Sequence, residues 1–296
     1  MKFGVWSYFM QMTVLEVIKR SAEFLEKKGV DSPRLQVELL LAHVLHLPRM
    51  GLYLNFERVL SPAELDEVRN LVKRRGQREP LQHIIGTACF WGLEMKVNNQ
   101  VLVPRPESEQ LAELGWQFLN GIQGTPPLAL DFGTGSGCLA ILLAVKSPGA
   151  RVVAVDISPE ALAVAQENAS RHSVQERVEF FQGDGFVAVP AGRRFDLLVS
   201  NPPYIPSAEI ATLDPEVREH DPRWALDGGA EGLDFYRRLA REAGEFLRPG
   251  GRLMAEFGDG QAPAIRQIFE HEKWIVEAVK ADYSGRERIL VVRRAD

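Results

Sequence analysis

The chain has 296 residues, of which 45% are hydrophobic and 25% charged, as in ordinary globular proteins. This length suits one large or two modest domains. The net charge of −5 argues against a surface that is basic overall, although a local basic patch remains compatible with it. The two cysteines, Cys89 and Cys138, form no metal-ligand cluster or disulfide framework, so a reducing cytoplasm fits best.

The opening stretch, MKFGVWSYFMQM, lacks the small-residue cleavage pattern of a signal peptide. No window of the sequence approaches the ~18 apolar residues that a transmembrane helix needs. We therefore expect a soluble, cytoplasmic protein without a membrane partner.

Helical periodicity predicts a first domain over residues 1–80, made of three or four short helices. Capping boxes are predicted to begin at Thr13 and Ser61, and Ser32, which precedes a proline, is predicted to cap another helix. The segment carries no chemical fingerprint, so we expect it to recognise or position a partner.

Residues 81–103 are rich in β-branched and aromatic side chains and predict a β-hairpin that links this domain to a catalytic domain over residues 104–296. In that domain strand-like and helix-like segments alternate, which is typical of a doubly wound α/β sheet. The predicted strands are LALDF, RVVAVDI, RVEFFQGD, FDLLVS, RLMAEF, WIVEAV and RILVVRR. Only a short loop separates the last two, so they should pair antiparallel.

A glycine-rich loop, DFGTGSG, follows the first of these strands and precedes an apolar helix. Glycines permit a tight turn and a close approach to a ligand, and the helix presents unpaired N–H groups. The candidate cofactor-binding residues of this loop are Gly133, Thr134, Gly135, Ser136 and Gly137. The spacing is not that of the dinucleotide fingerprint, so a mononucleoside such as S-adenosylmethionine fits better.

Two further carboxylates extend the predicted nucleoside site. Asp156 ends the second strand about twenty residues beyond the loop, where this fold places a carboxylate against ribose hydroxyls. Ser158 already supplies the cap of the helix that follows. Asp184, next to Gly185 after the third strand, either contacts an adenine amino group or shapes the turn, and both interpretations stay open.

The stretch SNPPYIP follows the fourth strand, where Pro202 and Pro203 make a stiff corner. The corner offers the side-chain oxygen of Asn201 and nearby backbone carbonyls as acceptors, with the Tyr204 ring as a wall. Two acceptors suit a planar NH₂ group, whose nitrogen is a poor nucleophile, and can hold it near a sulfonium methyl group. We predict that Asn201, Pro202 and Tyr204 are catalytic and that Asn201 also contacts the cofactor.

Together with VPRPESE, FWG, ALDGGAEGLDFYRRL and GRERIL, these motifs resemble those of the HemK-type protein-glutamine methyltransferases over nearly the whole chain. The resemblance implies a Rossmann-like seven-stranded methyltransferase sheet with a small N-terminal helical bundle. It also implies methyl transfer from S-adenosylmethionine to the glutamine of the GGQ motif in class I peptide-chain release factors. Asn201 to Tyr204 match the family's substrate-amide site, and Phe90 matches the hairpin aromatic residue expected to help wall the glutamine.

The sequence departs from the family pattern at Gly185, where many relatives carry a tryptophan beside the adenine. Phe186 is a candidate substitute for that side chain. Arg105 and Glu109 are equally consistent with a role at the site and with a clamp on the linker.

Two other functions fit parts of the pattern. An adenine amino-methyltransferase acting on a flipped-out base also uses NPPY, but 35 basic against 40 acidic residues disfavour DNA, and we expect no direct nucleic-acid partner. A non-catalytic nucleoside sensor is disfavoured because binding the cofactor alone would not require the NPPY corner.

Overall fold

The computed structural model describes residues 11–295, which form two compact units. One unit contains the described residues up to Gly86 together with Asp214–His220, and the other contains Thr87–Leu213 and the described residues from Asp221 onward. Most of the opening stretch considered as a signal peptide lies outside the described residues. Within residues 11–295, no helix is long and apolar enough to cross a membrane, and no group of His, Cys, Asp and Glu side chains could hold a metal ion.

Helices dominate the described chain up to Ile85, and strands and helices are interspersed after it. In chain order, the helices are α1 (Val14–Glu26), α2 (Pro33–Leu45), α3 (Pro62–Gly76), α4 (Leu81–Ile85), α5 (Pro106–Asn120), α6 (Cys138–Lys146), α7 (Pro159–Arg171), α8 (Pro215–His220), α9 (Asp234–Glu242) and α10 (Ala262–His271). The strands are β1 (Thr87–Phe90), β2 (Leu93–Lys96), β3 (Leu128–Phe132), β4 (Arg151–Asp156), β5 (Val178–Gln182), β6 (Phe195–Ser200), β7 (Leu247–Glu256), β8 (Trp274–Ala281) and β9 (Glu287–Arg294).

The first unit is helical and buries one apolar core. The capping boxes predicted at Thr13 and Ser61 are confirmed. Each of these side chains accepts a hydrogen bond from the backbone N–H three residues later, and the glutamate at that position accepts one from the backbone N–H of the capping residue. The cap predicted at Ser32 is wrong. A capping residue needs extended backbone, whereas Ser32 has φ 47° and its side chain makes no capping hydrogen bond.

Helix α8 belongs to the first unit, although the chain on both sides of it belongs to the second. One carboxylate oxygen of Glu216 in α8 accepts hydrogen bonds from Arg75 and Arg78, each at 2.6 Å. The other carboxylate oxygen accepts a second hydrogen bond from Arg78, also at 2.6 Å. Burial alone would raise the pKa of Glu216, but the two guanidinium groups lower it to about 2. Helical periodicity gave no sign of this insertion.

The second unit contains the predicted seven-stranded sheet, with strand order β5-β4-β3-β6-β7-β9-β8. Strand β9 runs antiparallel to both of its neighbours, and the remaining pairs are parallel, which confirms the single reversed strand. The hairpin β1–β2 is also present in this unit. Successive residues of a strand point to opposite faces, so Leu197 and Leu198 enter two separate apolar cores, one on each face of the sheet.

The chain runs from β3 outward to β4 and β5, and then continues with β6 on the other side of β3. The strand order therefore reverses between β3 and β6. In open α/β sheets, ligands bind at such a reversal, beyond the carboxyl ends of the strands.

Candidate functional site

A cavity of about 230 Å³ lies at the carboxyl ends of β3, β4, β5 and β6, within the second unit. It brings together most of the predicted cofactor-binding and substrate-binding residues. Those that line it are Gly133, Thr134, Gly135, Ser136, Asp156, Asp184, Gly185, Asn201 and Pro203. One space therefore contains both the glycine loop and the NPPY corner.

The glycine loop has the shape that a close ligand requires. Gly133 and Gly135 have φ of 77° and 55°, in the left-handed region that glycine adopts without strain. A Cβ atom at either position would meet no atom within 4 Å, so the backbone borders open space. Gly137 does not line the cavity. A Cβ there would lie 3.0 Å from Ala165, so this glycine permits close packing of α6 and α7.

Asp156 joins the end of β4 to the glycine loop. One carboxylate oxygen accepts from the Gly135 N–H at 2.8 Å, and the other accepts from the Ser158 N–H at 3.0 Å. Burial raises the pKa of Asp156, and these backbone donors oppose the rise. Because a carboxylate oxygen can accept more than one hydrogen bond, Asp156 can still receive hydroxyl donors from a ligand. Ser158 caps α7 as predicted, through the Ala161 N–H.

Beneath the loop lies Asp131, a residue to which the sequence gave no separate role. It accepts hydrogen bonds from the Thr134 hydroxyl at 2.6 Å and from the Ala140 N–H at 3.1 Å. Complete burial raises its pKa to about 7. Asp131 thus ties the loop to the first turn of α6. In the sequence, an acidic residue inside an otherwise apolar strand was the signal that could have indicated this role.

The end of the cavity beside Asp184 is shaped by Arg238, which the sequence did not single out. Its guanidinium group donates to the Asp184 carboxylate and, at 2.8 Å, to the Asp184 backbone carbonyl. A Cβ atom on Gly185 would lie only 2.6 Å from Arg238. The suggested substitute Phe186 is instead buried, with its ring between those of Phe132 and Phe246. Arg238 therefore occupies the space beside Gly185.

The NPPY corner is backed by a short chain of hydrogen bonds. The Asn201 Nδ2 donates to the Ser108 Oγ at 2.9 Å, and the Ser108 Oγ donates to the Glu256 Oε2 at 2.6 Å. No residue in the described part of the chain donates a hydrogen bond to the Asn201 Oδ1. Asn201 thus lines the cavity with an acceptor that is free to bind a ligand.

Two glycines allow the chain to pack tightly against the corner. A Cβ on Gly228 would lie 2.8 Å from the Pro203 carbonyl oxygen, and one on Gly232 would overlap the Tyr204 carbonyl oxygen. Gln261 donates to that same Tyr204 oxygen at 2.9 Å. The backbone after Asn201 is therefore held from several sides.

The comparisons with known proteins agree along almost the whole chain. Residues 16–86 match the family model described as the PrmC N-terminal domain, and residues 118–213 match the methyltransferase small domain. The release factor glutamine methyltransferase of Geobacter sulfurreducens is 46% identical over 94% of this chain and 95% of its own length. The enzyme of that name from Chlorobaculum tepidum is 44% identical over 97% of both chains. The chain belongs to the release factor glutamine methyltransferase family. The predicted family is therefore confirmed, and the protein is a methyltransferase.

Solved structures resemble the methyltransferase fold of this family member at low sequence identity. The hMettl16 catalytic domain, in complex with MAT2A 3'UTR hairpin 1, has a TM-score of 0.55 at 13% identity and covers 80% of this chain and 83% of its own. The human methyltransferase 10 domain containing protein has a TM-score of 0.51 at 16% identity, with 69% and 90% covered. Such similarity shows the fold alone.

Three predicted substrate-site residues of this family member do not line the cavity. Phe90 is fully buried in the core beside Met95, because the hairpin turns its side chain toward the sheet. In this structure Phe90 therefore packs in the core, and its contact with the substrate stays a prediction. Pro202 is buried, and the half-buried Tyr204 ring packs against the second core, where burial raises its pKa to about 12.

The sequence left the roles of Arg105 and Glu109 open, and the structure gives these two residues separate contacts. Glu109 accepts a hydrogen bond from the Trp91 N–H at 2.6 Å, which holds the turn of the β1–β2 hairpin. Arg105 lines the cavity and pairs with the Asp221 carboxylate at 3.1 Å. Burial raises the pKa of Asp221 to about 6, and Arg105 opposes the rise. The clamp interpretation thus fits Glu109, whereas Arg105 borders the site.

Proposed function

We propose that this protein transfers a methyl group from S-adenosylmethionine to the side-chain amide nitrogen of the glutamine in the GGQ motif of class I peptide-chain release factors. The reaction takes place in the cytoplasm, without a membrane or nucleic-acid partner. The observation that carries the proposal is the free Oδ1 acceptor of Asn201, which lines the same cavity as the glycine loop. Membership of the family supports the choice of substrate.

The residues around the cavity fit a nucleoside cofactor. Gly133 and Gly135 leave open space above the loop, Asp156 can accept from ribose hydroxyls, and Asp184, Gly185 and Arg238 border the place for the base. When bound, S-adenosylmethionine would supply an electrophilic sulfonium methyl group; the amide nitrogen would gain that methyl group and lose one N–H proton, and S-adenosylhomocysteine would be the leaving group.

The NPPY corner is proposed to orient the glutamine. Asn201 accepts one N–H of the substrate amide through Oδ1, and a backbone carbonyl of the corner accepts the other. Both acceptors lie where positive charge develops on the nitrogen, so they interact more strongly with the transition state than with the bound substrate. The corner also fixes the direction of attack, which is worth several kcal/mol without a strong base. Tyr204 supports the corner from behind.

The decisive experiment is mass spectrometry of a purified class I release factor after incubation with this protein and S-adenosylmethionine. We expect one added methyl group, located by fragmentation on the GGQ glutamine. A release factor with that glutamine replaced by asparagine is the matched control and should gain nothing. A DNA oligonucleotide containing adenine is tested in parallel. Methylation of the oligonucleotide and not of the release factor would overturn the proposal in favour of a nucleic-acid methyltransferase.

A further inference from the structure

Three polar side chains form a continuous chain behind the substrate corner. Asn201 follows β6, Ser108 lies in the first turn of α5, and Glu256 ends β7. The Ser108 Oγ is 2.9 Å from the Asn201 Nδ2 and 2.6 Å from the Glu256 Oε2. Ser108 is 2% exposed and Glu256 is 1% exposed, so water does not compete for these bonds. A carboxyl group buried this deeply is costly unless it is hydrogen-bonded.

The hydrogen-bond donors in this chain fix its direction. A serine hydroxyl has one hydrogen, and Ser108 donates it to the acceptor-only carboxylate of Glu256. The Ser108 oxygen can then offer Asn201 only lone pairs. The Asn201 amide must therefore turn its NH₂ toward Ser108, which leaves its oxygen as the acceptor for a ligand in the cavity that Asn201 lines. Burial raises the pKa of Glu256, and the nearby N–H groups of Asn201 oppose the rise, as donors should.

We propose that Ser108 and Glu256 are positioning residues for methyl transfer, because they hold the Asn201 amide with its oxygen, and not its NH₂, facing the substrate. This inference rests on the proposed function. The oxygen and nitrogen of an asparagine amide are nearly equal in size, so packing alone does not distinguish the two orientations. With the NH₂ outward, Asn201 would present donors to the donors of the substrate amide and could not hold it.

The arrangement requires Glu256 as a carboxylate. Burial raises its pKa to about 7, and Ser108 opposes the rise. The other groups that interact electrostatically with it are Glu107, Arg288, Tyr204, Tyr236 and Cys138. Protonated Glu256 can donate to Ser108, whose hydrogen is then free to point toward Asn201 and favour the reversed amide. The transfer rate should therefore fall as the pH falls through the pKa of Glu256.

The test compares single-turnover rates of methyl transfer at saturating cofactor and release factor. We expect Ser108→Ala to slow transfer by ~10–100-fold, while calorimetry shows unchanged affinity for S-adenosylmethionine. Ser108→Thr keeps the hydroxyl group and should recover most of the rate. Glu256→Gln should flatten the fall in rate at low pH, because the titrating group is gone. Ser147→Ala, which removes an equally buried hydroxyl at the end of α6, is the control and should change nothing.

The Asn201→Ala background separates positioning from a general structural role. If Ser108 and Glu256 act only through Asn201, Ser108→Ala should cost no further rate in that background. The inference would be overturned if Ser108→Ala slowed methyl transfer as much in the Asn201→Ala background as in the wild-type protein. It would also be overturned if Ser108→Ala alone had the wild-type rate. The outcome for the proposed function is distinct, because that proposal fails only if the wild-type protein does not methylate the release factor.

Discussion

Replacing Asn201 with alanine tests the substrate corner most directly, because the folded protein loses little else. The change deletes one hydrogen bond, from Nδ2 to Ser108, and leaves Ser108 bonded to Glu256. Such a bond contributes about 0.5–1.5 kcal/mol to stability. For domains of this size class, Tm falls by about 2–4 °C per kcal/mol, so the variant should remain folded.

The expected loss of rate is much larger than the loss of stability. A hydrogen bond to a neutral group is worth about 0.5–1.5 kcal/mol, and one to a charged group about 1.5–3. The proposed contact of Asn201 Oδ1 with the reacting nitrogen should move from the first range toward the second as positive charge develops. The alanine variant loses that gain and at least as much again from lost orientation of the substrate, so its activation free energy should rise by about 3 kcal/mol. This corresponds to about two orders of magnitude in the rate of methyl transfer.

The assay is a single-turnover measurement with saturating release factor, accompanied by calorimetry with S-adenosylmethionine. Cofactor affinity should change little, because the glycine loop and Asp156 remain in place. Asn201→Asp should not restore the rate. Its carboxylate has no N–H for Ser108 and adds a second negative charge beside Glu256, which raises the pKa of one of the two groups. An alanine variant within tenfold of the wild-type rate would show that something other than Asn201 holds the amide.

Three further variants test other parts of the structure. Asp156→Ala should weaken S-adenosylmethionine binding by about 1–3 kcal/mol, and unchanged calorimetric affinity would remove Asp156 from the site. Glu216→Gln should lower the stability of the helical unit by about 1–3 kcal/mol at pH 7, measured by thermal unfolding against the exposed control Glu219→Gln. The pKa of Glu216 is lowered from 4.5 to about 2, so its stabilisation is present above pH 4.5 and lost as the pH falls toward 2; an equal deficit at pH 7 and pH 2 would contradict this. Gly185→Trp should lower Tm, because φ is 69° and the new Cβ would lie 2.6 Å from Arg238, and an unchanged Tm would refute that reasoning.

The parts of the fold that could be predicted depend on short-range signals. Short runs of apolar and β-branched residues predict strands, so all seven strands of the sheet are visible in the sequence. The capping boxes at Thr13 and Ser61 place every interacting group within three residues. The reversed strand β9 follows from a loop too short for a crossover helix. The Ser32 cap failed because the backbone there has φ 47°, outside the extended region that a capping side chain needs.

The parts that could not be predicted join residues far apart in the chain. Ser108 and Glu256 are 148 positions apart, and Arg78 and Glu216 are 138 apart. Neither periodicity nor a local motif indicates which side chains meet over such distances. The packing of Arg238 beside Gly185 is of the same kind, since it depends on how α9 approaches the end of β5.

The substrate corner shows why both kinds of information are needed to assign a function. Pro202 and Pro203 fix the shape of the backbone locally, so the sequence alone predicts a rigid corner with acceptors. We propose that the direction of the Asn201 amide is set instead by Ser108 and Glu256, through contacts that only the folded chain creates. A relative that kept NPPY but lost the serine or the glutamate would retain the motif and, on this reasoning, hold the amide poorly. On the proposed mechanism, the motif therefore predicts efficient methyl transfer only where this hydrogen-bond chain is also present.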